Sequence, residues 1–245
     1  MKLSQYDTIA EQYAETQDKR LNRVYNYEPS FLEVAGNLVE RTVFDMACGD
    51  GRMTRQAVAR GAVEVTGVDL SPEMIKLAQE KGGCIDYFQG RVGKLGPIAK
   101  FDQVWGTFLL HYAETKEELE AMAEDIAINL RTGGKFVAFN QNPLCPFSKE
   151  YQYGTTVFPE GPLFEGQRIK VTLWDGDKEG ASFVNYHWNI STYNQALTKA
   201  GLKDIVWHPT KVSSEGIAKF GKEFWDKAYQ YPTVNIIEAR KGEAR

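Results

Sequence analysis

The segment DMACGDGR, residues 45–52, places two aspartates and two glycines directly after an apolar run. A glycine turn between a buried strand and a helix lets the backbone approach a ligand and directs the amides of the helix N-terminus toward it. Asp69 follows the next apolar run, twenty residues beyond Gly49. A carboxylate at the end of a second strand can accept hydrogen bonds from both hydroxyls of a ribose. Together these features predict a site for an adenosine-type ligand.

The charge of this turn favours a nucleoside ligand without phosphate over a dinucleotide. Asp45 and Asp50 flank the turn, and they would repel a pyrophosphate because Coulomb energies in a partly dry pocket exceed their size in water. Thr54 stands where the G-x-G-x-x-G pattern of NAD sites has its third glycine. A nucleoside with an α-ammonium, a sulfonium and no phosphate suits the turn better. We therefore expect S-adenosylmethionine, with S-adenosylhomocysteine as the product, rather than NAD.

The elements that position these residues alternate between strand and helix. The run at 42–47 has the composition of a strand buried on both faces of a parallel sheet. Ser71 before Pro72 is a strong helix start, with the serine as N-cap and proline at the first helical position. The alternation argues for parallel strands joined by right-handed crossovers. The further predicted helices are 52–60, 72–80, 116–130 and 191–200, and the further strands are 63–68, 84–88, 101–106, 135–140, 202–207 and 233–239.

Three segments depart from this alternation. The first forty residues have helical spacing of apolar side chains. The segment 142–190 is rich in Pro, Gly and aromatic residues, and within it two strands surround an Asp-Gly turn at 175–176, which indicates an antiparallel insertion. The segment 209–230 is polar, and we assign it no helix or strand. We expect Ser191 or Thr192 to cap the helix that follows the insertion.

Four segments, DMACGDGR, GVDLSPEMIKLA, FDQVWGTFLLHYA and LRTGGKFVAFN, resemble in order and spacing the successive motifs of class I S-adenosylmethionine-dependent methyltransferases. YDTIAEQYAE resembles the N-terminal helix of the branch that acts on small molecules. The resemblance implies an α/β, Rossmann-like fold, with a mostly parallel seven-stranded sheet flanked by helices and an antiparallel lid insertion. Shorter segments, VNYHW, WHP and VSSEGIAKFGKEFW, are similar to the C-terminal region of toxoflavin-synthase-like enzymes, which methylate nitrogen atoms of a small azapteridine.

The resemblance also implies an organisation of the chain. A length of 245 residues suits one domain. Its expected parts are an N-terminal helical cap at 1–40, a cofactor-binding core at 41–141, a substrate-lid insertion at 142–190 and the C-terminal part of the sheet at 191–245.

Residues at the ends of the first four strands are implied to surround the cofactor. Asp45, Ala47, Gly49 and Gly51 would shape the site for the methionine moiety. The others are Asp69 and Leu70 at the ribose, Met74 beside the adenine, Gly106, Thr107 and Phe108 beneath the sulfonium, and Tyr13 closing over the cofactor. Where such families often carry Gly-Asp-Ala at the adenine edge, this chain has Gly90, Arg91 and Val92. The usual carboxylate is missing there, so backbone groups would recognise that edge.

Methyl transfer from a sulfonium is an in-line displacement with an activated donor, so the enzyme mainly aligns the nucleophile and excludes water. A general base is optional. His111 is the best base candidate because it follows the fourth strand; the alternative is that it packs against or caps helix 116–130. Tyr186, His187 and Trp188 of the insertion are candidates for contact with a planar or apolar acceptor. The alternative for each is a place in a strand or in the core.

Composition limits the partners. The net charge of −4 lacks the basic excess that nucleic-acid binding requires. The opening segment has no apolar core of the signal-peptide kind, and no run reaches the length of a membrane span. Three cysteines without CxxC spacing indicate neither a disulfide framework nor a zinc site. We expect a cytoplasmic enzyme with a small-molecule methyl acceptor and no bound metal, nucleic acid or membrane. A nucleotide-dependent oxidoreductase and a methyltransferase acting on protein or RNA stay as alternatives.

Overall fold

The computed structural model describes residues 4–16, 19–145, 153, 155–159, 161–175 and 178–243. The strands are β1 Thr42–Met46, β2 Glu64–Asp69, β3 Asp86–Gln89, β4 Phe101–Thr107, β5 Leu130–Gln141, β6 Thr155–Pro159, β7 Arg168–Asp175, β8 Lys178–Tyr186, β9 Leu202–Pro209 and β10 Val234–Lys241. The α-helices are α1 Ala10–Thr16, α2 Glu28–Ala35, α3 Arg52–Ala59, α4 Pro72–Glu80, α5 Lys116–Asn129, α6 Ile190–Lys199, α7 Ser214–Phe220 and α8 Asp226–Gln230. A π-helical turn, Arg23–Tyr27, leads into α2, and short 3₁₀ turns cover Leu110–Tyr112 and Glu223–Trp225.

Seven strands form one sheet in the order β3-β2-β1-β4-β5-β10-β9. The first five strands run parallel, whereas β10 is antiparallel to both β5 and β9. The strand order therefore reverses between β1 and β4. In open α/β sheets, ligands bind outside the carboxyl ends of the strands at such a switch point. The predicted Rossmann-like, mostly parallel seven-stranded sheet is confirmed.

The core lies on both faces of this sheet because successive side chains of a strand point to opposite faces. Val43 packs in a cluster with Phe31 and Trp105 on one face. Phe44, its neighbour in β1, packs on the other face with the buried side of α5. Every residue of β1 is buried, as its apolar composition predicts.

The segment after β5 forms a separate antiparallel sheet in the order β6-β7-β8. The hairpin of β7 and β8 confirms the predicted antiparallel insertion; the second residue of its Asp-Gly turn, Gly176, lies outside the described residues. Strand β6 was not predicted. The buried side chains of this small sheet pack against Tyr6, Ile9 and Tyr13 of the N-terminal segment.

A local signal fixes the start of α4 as predicted. The Ser71 hydroxyl accepts a hydrogen bond from the Met74 amide at 3.3 Å and so caps α4. Gly133 has φ +75° but does not end α5, whose C-cap is Leu130; it lies within β5, where the pairing with β4 shifts register.

The prediction for the start of α6 was wrong. Asn189 is the N-cap, and its side chain makes no capping hydrogen bond. Instead, the carboxylate of Glu165, from the loop before β7, accepts from the Asn189 amide at 3.2 Å and from the Thr192 hydroxyl. A carboxylate at a helix N-terminus is favoured by the helix dipole.

The segment 209–230 contains two helices, α7 and α8, that the sequence did not predict. Both are short, and their helical periodicity is weak against a polar background. Ser213 caps α7 by accepting from the Gly216 amide at 3.1 Å. Trp225, which is fully buried, packs with Tyr25 and Val212 and anchors the segment. In the part of the chain that the structure describes, no helix is long and apolar enough to cross a membrane.

Candidate active site

A cavity of about 510 Å³ opens at the carboxyl ends of β1 to β4, at the switch point of the sheet. We call it the larger cavity. Pockets of this volume are typical for small molecules and cofactors. Its lining includes six of the residues predicted for the cofactor: Ala47, Asp69, Leu70, Gly90, Arg91 and Val92. Leu109, Tyr112, Glu114, Met122, Arg168, Val184, Tyr186 and the N-terminal residues Ser4, Gln5 and Tyr6 complete it.

Asp69 is held in a fixed orientation at the end of β2. Its Oδ2 atom accepts from the Gly49 amide at 2.9 Å, and its Oδ1 atom accepts from the Ser71 amide at 2.9 Å. A carboxylate oxygen has two acceptor sites, so each oxygen keeps one. Burial raises the pKa of Asp69, although the two amide bonds and that of Leu70 oppose the shift. This side chain therefore ties the glycine turn to β2 and can still accept from a pair of hydroxyls in the cavity.

The turn after β1 adopts unusual backbone conformations. Gly49 and Gly51 have positive φ angles of +55° and +75°. Ala47 has φ +64° and Phe108, after β4, also has φ +64°, although neither is glycine. Non-glycine residues with positive φ are uncommon, and such strain concentrates at ligand sites. Ala47 follows β1 and Phe108 follows β4, the two strands between which the strand order reverses. The strained backbone therefore lies on both sides of the switch point.

The structure corrects the charge attributed to the turn. Asp45 is fully buried and accepts from the Thr54 hydroxyl at 2.8 Å and the Thr107 hydroxyl at 3.5 Å. Burial raises the pKa of Asp45 to about 7, so it carries only part of a charge near neutral pH. Asp50 forms an ion pair with Lys81. The carboxylates that line the larger cavity are Asp69 and Glu114, beside the guanidinium groups of Arg91 and Arg168, so the negative charge expected from Asp45 and Asp50 does not line it.

A second cavity, of about 60 Å³, lies beside the first, and we call it the smaller cavity. Both cavities are lined by Tyr6 and Tyr112, whose hydroxyl groups form a short hydrogen bond with each other. The two tyrosines therefore stand between the cavities. The remaining lining residues are Tyr13, Arg20, Tyr27, Phe108, His111, Gln141, Thr155, Val157, Val171, Phe183, Asn185, Thr233 and Val234.

His111 is buried in the 3₁₀ turn after β4 and lines the smaller cavity. Its Nδ1 atom is 3.3 Å from Asn140 Oδ1 and 3.3 Å from the amide nitrogen of Gln141. Its Nε2 atom is buried and has no hydrogen-bond partner among the described residues. Burial lowers the pKa of His111 to about 4, so the ring is neutral at neutral pH. Helix α5 is capped by Thr115 and not by His111.

Several residues predicted for the cofactor lie elsewhere. Tyr13 lines the smaller cavity, where the Arg20 guanidinium lies 5.4 Å from the centre of its ring. Phe108 also lines the smaller cavity. Met74 is buried in α4 and does not line either cavity. The remaining predicted residues, Asp45, Gly49, Gly51, Gly106 and Thr107, line neither cavity, although the Gly49 amide is bonded to Asp69, which lines the larger one.

Of the three candidates in the insertion, only Tyr186 lines a cavity, the larger one. Trp188 belongs to the main core, where its Nε1 atom donates to the Ala113 carbonyl at 2.9 Å. His187 is buried, and its backbone pairs with Gly166 and Gln167. The core position of Trp188 corresponds to the alternative stated for it, whereas His187 lies just beyond the end of β8 and lines neither cavity.

We expect Trp188→Phe to lower the free energy of unfolding by about 1 to 3 kcal/mol, because the Ala113 carbonyl loses a buried partner. Affinity for S-adenosylhomocysteine should stay unchanged. Urea unfolding and calorimetric titration of the same sample measure the two quantities. A variant of normal stability that has lost methyl transfer would instead place Trp188 at the acceptor.

Residues 43–134 match the methyltransferase domain family. The chain is 33% identical over 190 residues to the ubiquinone biosynthesis O-methyltransferase of Nitrosomonas europaea, an alignment that covers 74% of each protein. An S-adenosylmethionine-dependent methyltransferase of Mesorhizobium loti shares the fold with a TM-score of 0.66 at 19% identity, covering 92% of this chain and 100% of that one. A sugar N-methyltransferase of a Streptoalloteichus species gives 0.68 at 18% identity, with 96% and 93% covered.

The chain belongs to the class I S-adenosylmethionine-dependent methyltransferases. Its cofactor is S-adenosylmethionine, and the oxidoreductase alternative is wrong.

Proposed function

We propose that the enzyme transfers the methyl group of S-adenosylmethionine to nitrogen or oxygen of a small, planar aromatic or heterocyclic acceptor in the smaller cavity. One observation carries the proposal: a cofactor-sized cavity and an aromatic-lined cavity adjoin and share Tyr6 and Tyr112. A methyl group moves by in-line displacement only between reactants in direct contact, and that contact would form once the Tyr6 and Tyr112 hydroxyls part.

Residues of the chain fit the cofactor in the larger cavity. Asp69 has an acceptor site left on each carboxylate oxygen for the two ribose hydroxyls. Leu70 would cover the ribose, and Gly90 to Val92 would recognise the adenine edge. Ala47, backed by Gly49 and Gly51, would hold the methionine end near Tyr6 and Tyr112. The bound cofactor supplies an electrophilic methyl group, and the protein supplies alignment and exclusion of water.

The insertion supports the role of a lid over the acceptor. Val157, Val171 and Phe183 of its sheet line the smaller cavity, and Val184 and Tyr186 line the larger one. At about 60 Å³ the smaller cavity holds only a few atoms, so an acceptor of one ring must displace side chains on entry. Parting of the Tyr6 and Tyr112 hydroxyls would enlarge it toward the cofactor.

The relatives favour a small acceptor without naming it. The Nitrosomonas relative is an O-methyltransferase of ubiquinone biosynthesis, and one structural neighbour is a sugar N-methyltransferase. The shorter resemblance to toxoflavin-synthase-like enzymes is consistent with a flat heterocycle, which aromatic side chains stack well. No Asn-Pro-Pro-aromatic tetrapeptide, typical of nitrogen methylation in nucleic acids and glutamine side chains, follows β4, where the sequence is GTFLL.

We expect His111→Gln to lower kcat by about 10- to 100-fold, because the Nε2 atom facing the acceptor is lost. Affinity for S-adenosylhomocysteine should not change, since His111 lines only the smaller cavity. His208→Gln is the matched control: His208 lies on β9, bonded to Glu238 at 2.9 Å. If His111→Gln turns over like the control variant, His111 takes no part in the reaction and alignment alone suffices.

A screen of small planar amines, phenols and heterocycles tests the proposed function. Each compound is incubated with enzyme and S-adenosylmethionine, and S-adenosylhomocysteine and the methylated product are detected by mass. Conversion of several ring compounds, with none for histone peptides or transfer RNA, is the expected result. Methylation of the peptide or RNA alone would overturn it.

A further inference from the structure

The smaller cavity is lined by one cation and by neutral polar side chains, several of them tyrosine and threonine hydroxyl groups. Arg20 is buried to 9% exposure and lines the cavity beside Tyr13. Burial lowers the pKa of Arg20, as desolvation disfavours the charged form, but a guanidinium stays protonated at any pH the protein tolerates. Among the described residues that line this cavity there is no aspartate or glutamate. Arg20 therefore supplies the formal charge of the described lining, and that charge is positive.

The tyrosine hydroxyls of this cavity are neutral. Burial raises the pKa of Tyr27 to about 12 and raises the pKa values of Tyr6 and Tyr112 well above their ordinary value. A neutral phenol keeps its proton and can donate it in a hydrogen bond. The Tyr6 and Tyr112 hydroxyls bond to each other and the Tyr27 hydroxyl bonds to Thr233, so an acceptor would have to compete for these bonds. Cation and hydroxyl donors together match an anion.

We infer that the smaller cavity binds its acceptor as an anion: an acidic phenol, hydroxyheterocycle or N–H heterocycle whose ionised oxygen or nitrogen lies against Arg20 and the tyrosine hydroxyls. This inference rests on the proposed function and narrows its substrate class. Burying the anion costs desolvation energy, which the adjacent guanidinium offsets through a charge-assisted hydrogen bond.

The reaction balances without a base in the protein. The acceptor loses its proton to solvent before binding. A lone pair of its ionised atom then forms the bond to the methyl carbon, and the bond from sulfur to that carbon breaks. A sulfonium cation and an anion give two neutral products, S-adenosylhomocysteine and the methylated acceptor. Because the opposite charges are partly neutralised in the transition state and lost in the products, the cost of keeping both charges in a dry site is relieved as the reaction proceeds.

The chemistry of His111 agrees with this class of acceptor. A histidine whose conjugate acid has a pKa of about 4 is a weak base. It removes a proton from an aliphatic alcohol very inefficiently, because general-base efficiency follows basicity. An acceptor that is already ionised needs no such step. The Nε2 atom then serves to orient the acceptor rather than to deprotonate it.

Binding of para-nitrophenol tests the inference without turnover, because its ionised form has its own visible absorption band. The wild-type enzyme is saturated with S-adenosylhomocysteine, which fills the larger cavity, and titrated with para-nitrophenol and with its neutral analogue para-nitrotoluene. We expect the enzyme to bind the phenolate form, with the band growing on binding below the pH at which free nitrophenol ionises.

Three variants test whether the positive charge of Arg20 causes this preference for the phenolate. Arg20→Met should weaken phenolate binding by about 10- to 100-fold and leave para-nitrotoluene binding unchanged. Arg20→Lys keeps the charge and should keep most of the affinity. Arg60→Gln removes one positive charge from an exposed site and should behave as the wild type. Unchanged affinity for S-adenosylhomocysteine shows that each variant is folded.

The outcomes separate this inference from the proposed function. Equal binding of phenolate and para-nitrotoluene, or equal loss of phenolate binding in the Arg20 and Arg60 variants, overturns the anionic acceptor. The screen then still decides the proposed function through neutral acceptors. If the phenolate binds through Arg20 but no small molecule in the screen is methylated, the cavity binds anions and the proposed function fails.

Discussion

Asp69→Ala should weaken binding of S-adenosylmethionine by roughly 1 to 3 kcal/mol, about a 5- to 150-fold increase in Kd. The carboxylate is expected to lose its hydrogen bonds to the ribose. The same change leaves the amides of Gly49 and Ser71 without their acceptor, so the glycine turn becomes less ordered. Calorimetric titration with S-adenosylhomocysteine measures the effect.

Two variants separate these causes. Asp69→Asn keeps one acceptor oxygen and should fall between wild type and Asp69→Ala. Asp86→Ala, an exposed position on the neighbouring strand β3, removes the same charge and should leave the affinity unchanged. An Asp69→Ala protein with wild-type affinity would remove this residue from the ribose site.

Asp45→Asn should change the pH dependence of stability. Burial raises the pKa of Asp45 to about 7 from an ordinary value of 3.8. Between these values the folded protein binds a proton that the unfolded chain has released, so the wild type loses stability as the pH rises. The loss is on the order of 4 kcal/mol by neutral pH. Asparagine does not titrate. The free energy of unfolding of the variant minus that of the wild type should therefore be larger above pH 7 than near pH 4.

Urea unfolding across this pH range measures the difference between the two proteins. Asp102→Asn gives a control of opposite sign. Hydrogen bonds from Thr42 and from Arg131 lower the pKa of Asp102 despite its partial burial, so its contribution is present at neutral pH and lost in acid. A difference between Asp45→Asn and wild type that does not vary with pH would mean that Asp45 is ionised throughout this range.

The sequence predicted the larger cavity well because of a topological rule. The carboxyl ends of parallel strands meet at one edge of the sheet, so residues that follow β1, β2 and β3 in the sequence come together in space. Ala47, Asp69 and Gly90 are such residues, and all line the larger cavity. Spacing along the chain was enough to find Asp69, and the resemblance to class I methyltransferases added Ala47 and Gly90.

The smaller cavity was not predicted because its residues meet only through tertiary packing. Tyr6 and Tyr112 are 106 positions apart, and Arg20 belongs to neither a strand nor a long helix. The single signal for Tyr112 was its place next to His111 after β4.

The alternation of side chains along a strand was not enough to predict which residues of the insertion line a cavity. Tyr186, His187 and Trp188 are consecutive, and successive side chains of a strand point to opposite faces. This alternation predicts that Tyr186 and His187 point to opposite faces of the strand. It does not predict which of the two faces lines the cavity. The β8 strand ends at Tyr186, after which Trp188 turns into the main core.

A structure of the enzyme with S-adenosylhomocysteine and the acceptor converted fastest in the screen tests the central claim most directly. We predict the cofactor product in the larger cavity with its ribose on Asp69. The acceptor should lie between Arg20 and His111, and its reacting atom should face the sulfur past separated Tyr6 and Tyr112 hydroxyls. An acceptor bound outside the smaller cavity, with the Tyr6 to Tyr112 hydrogen bond intact, would contradict the account.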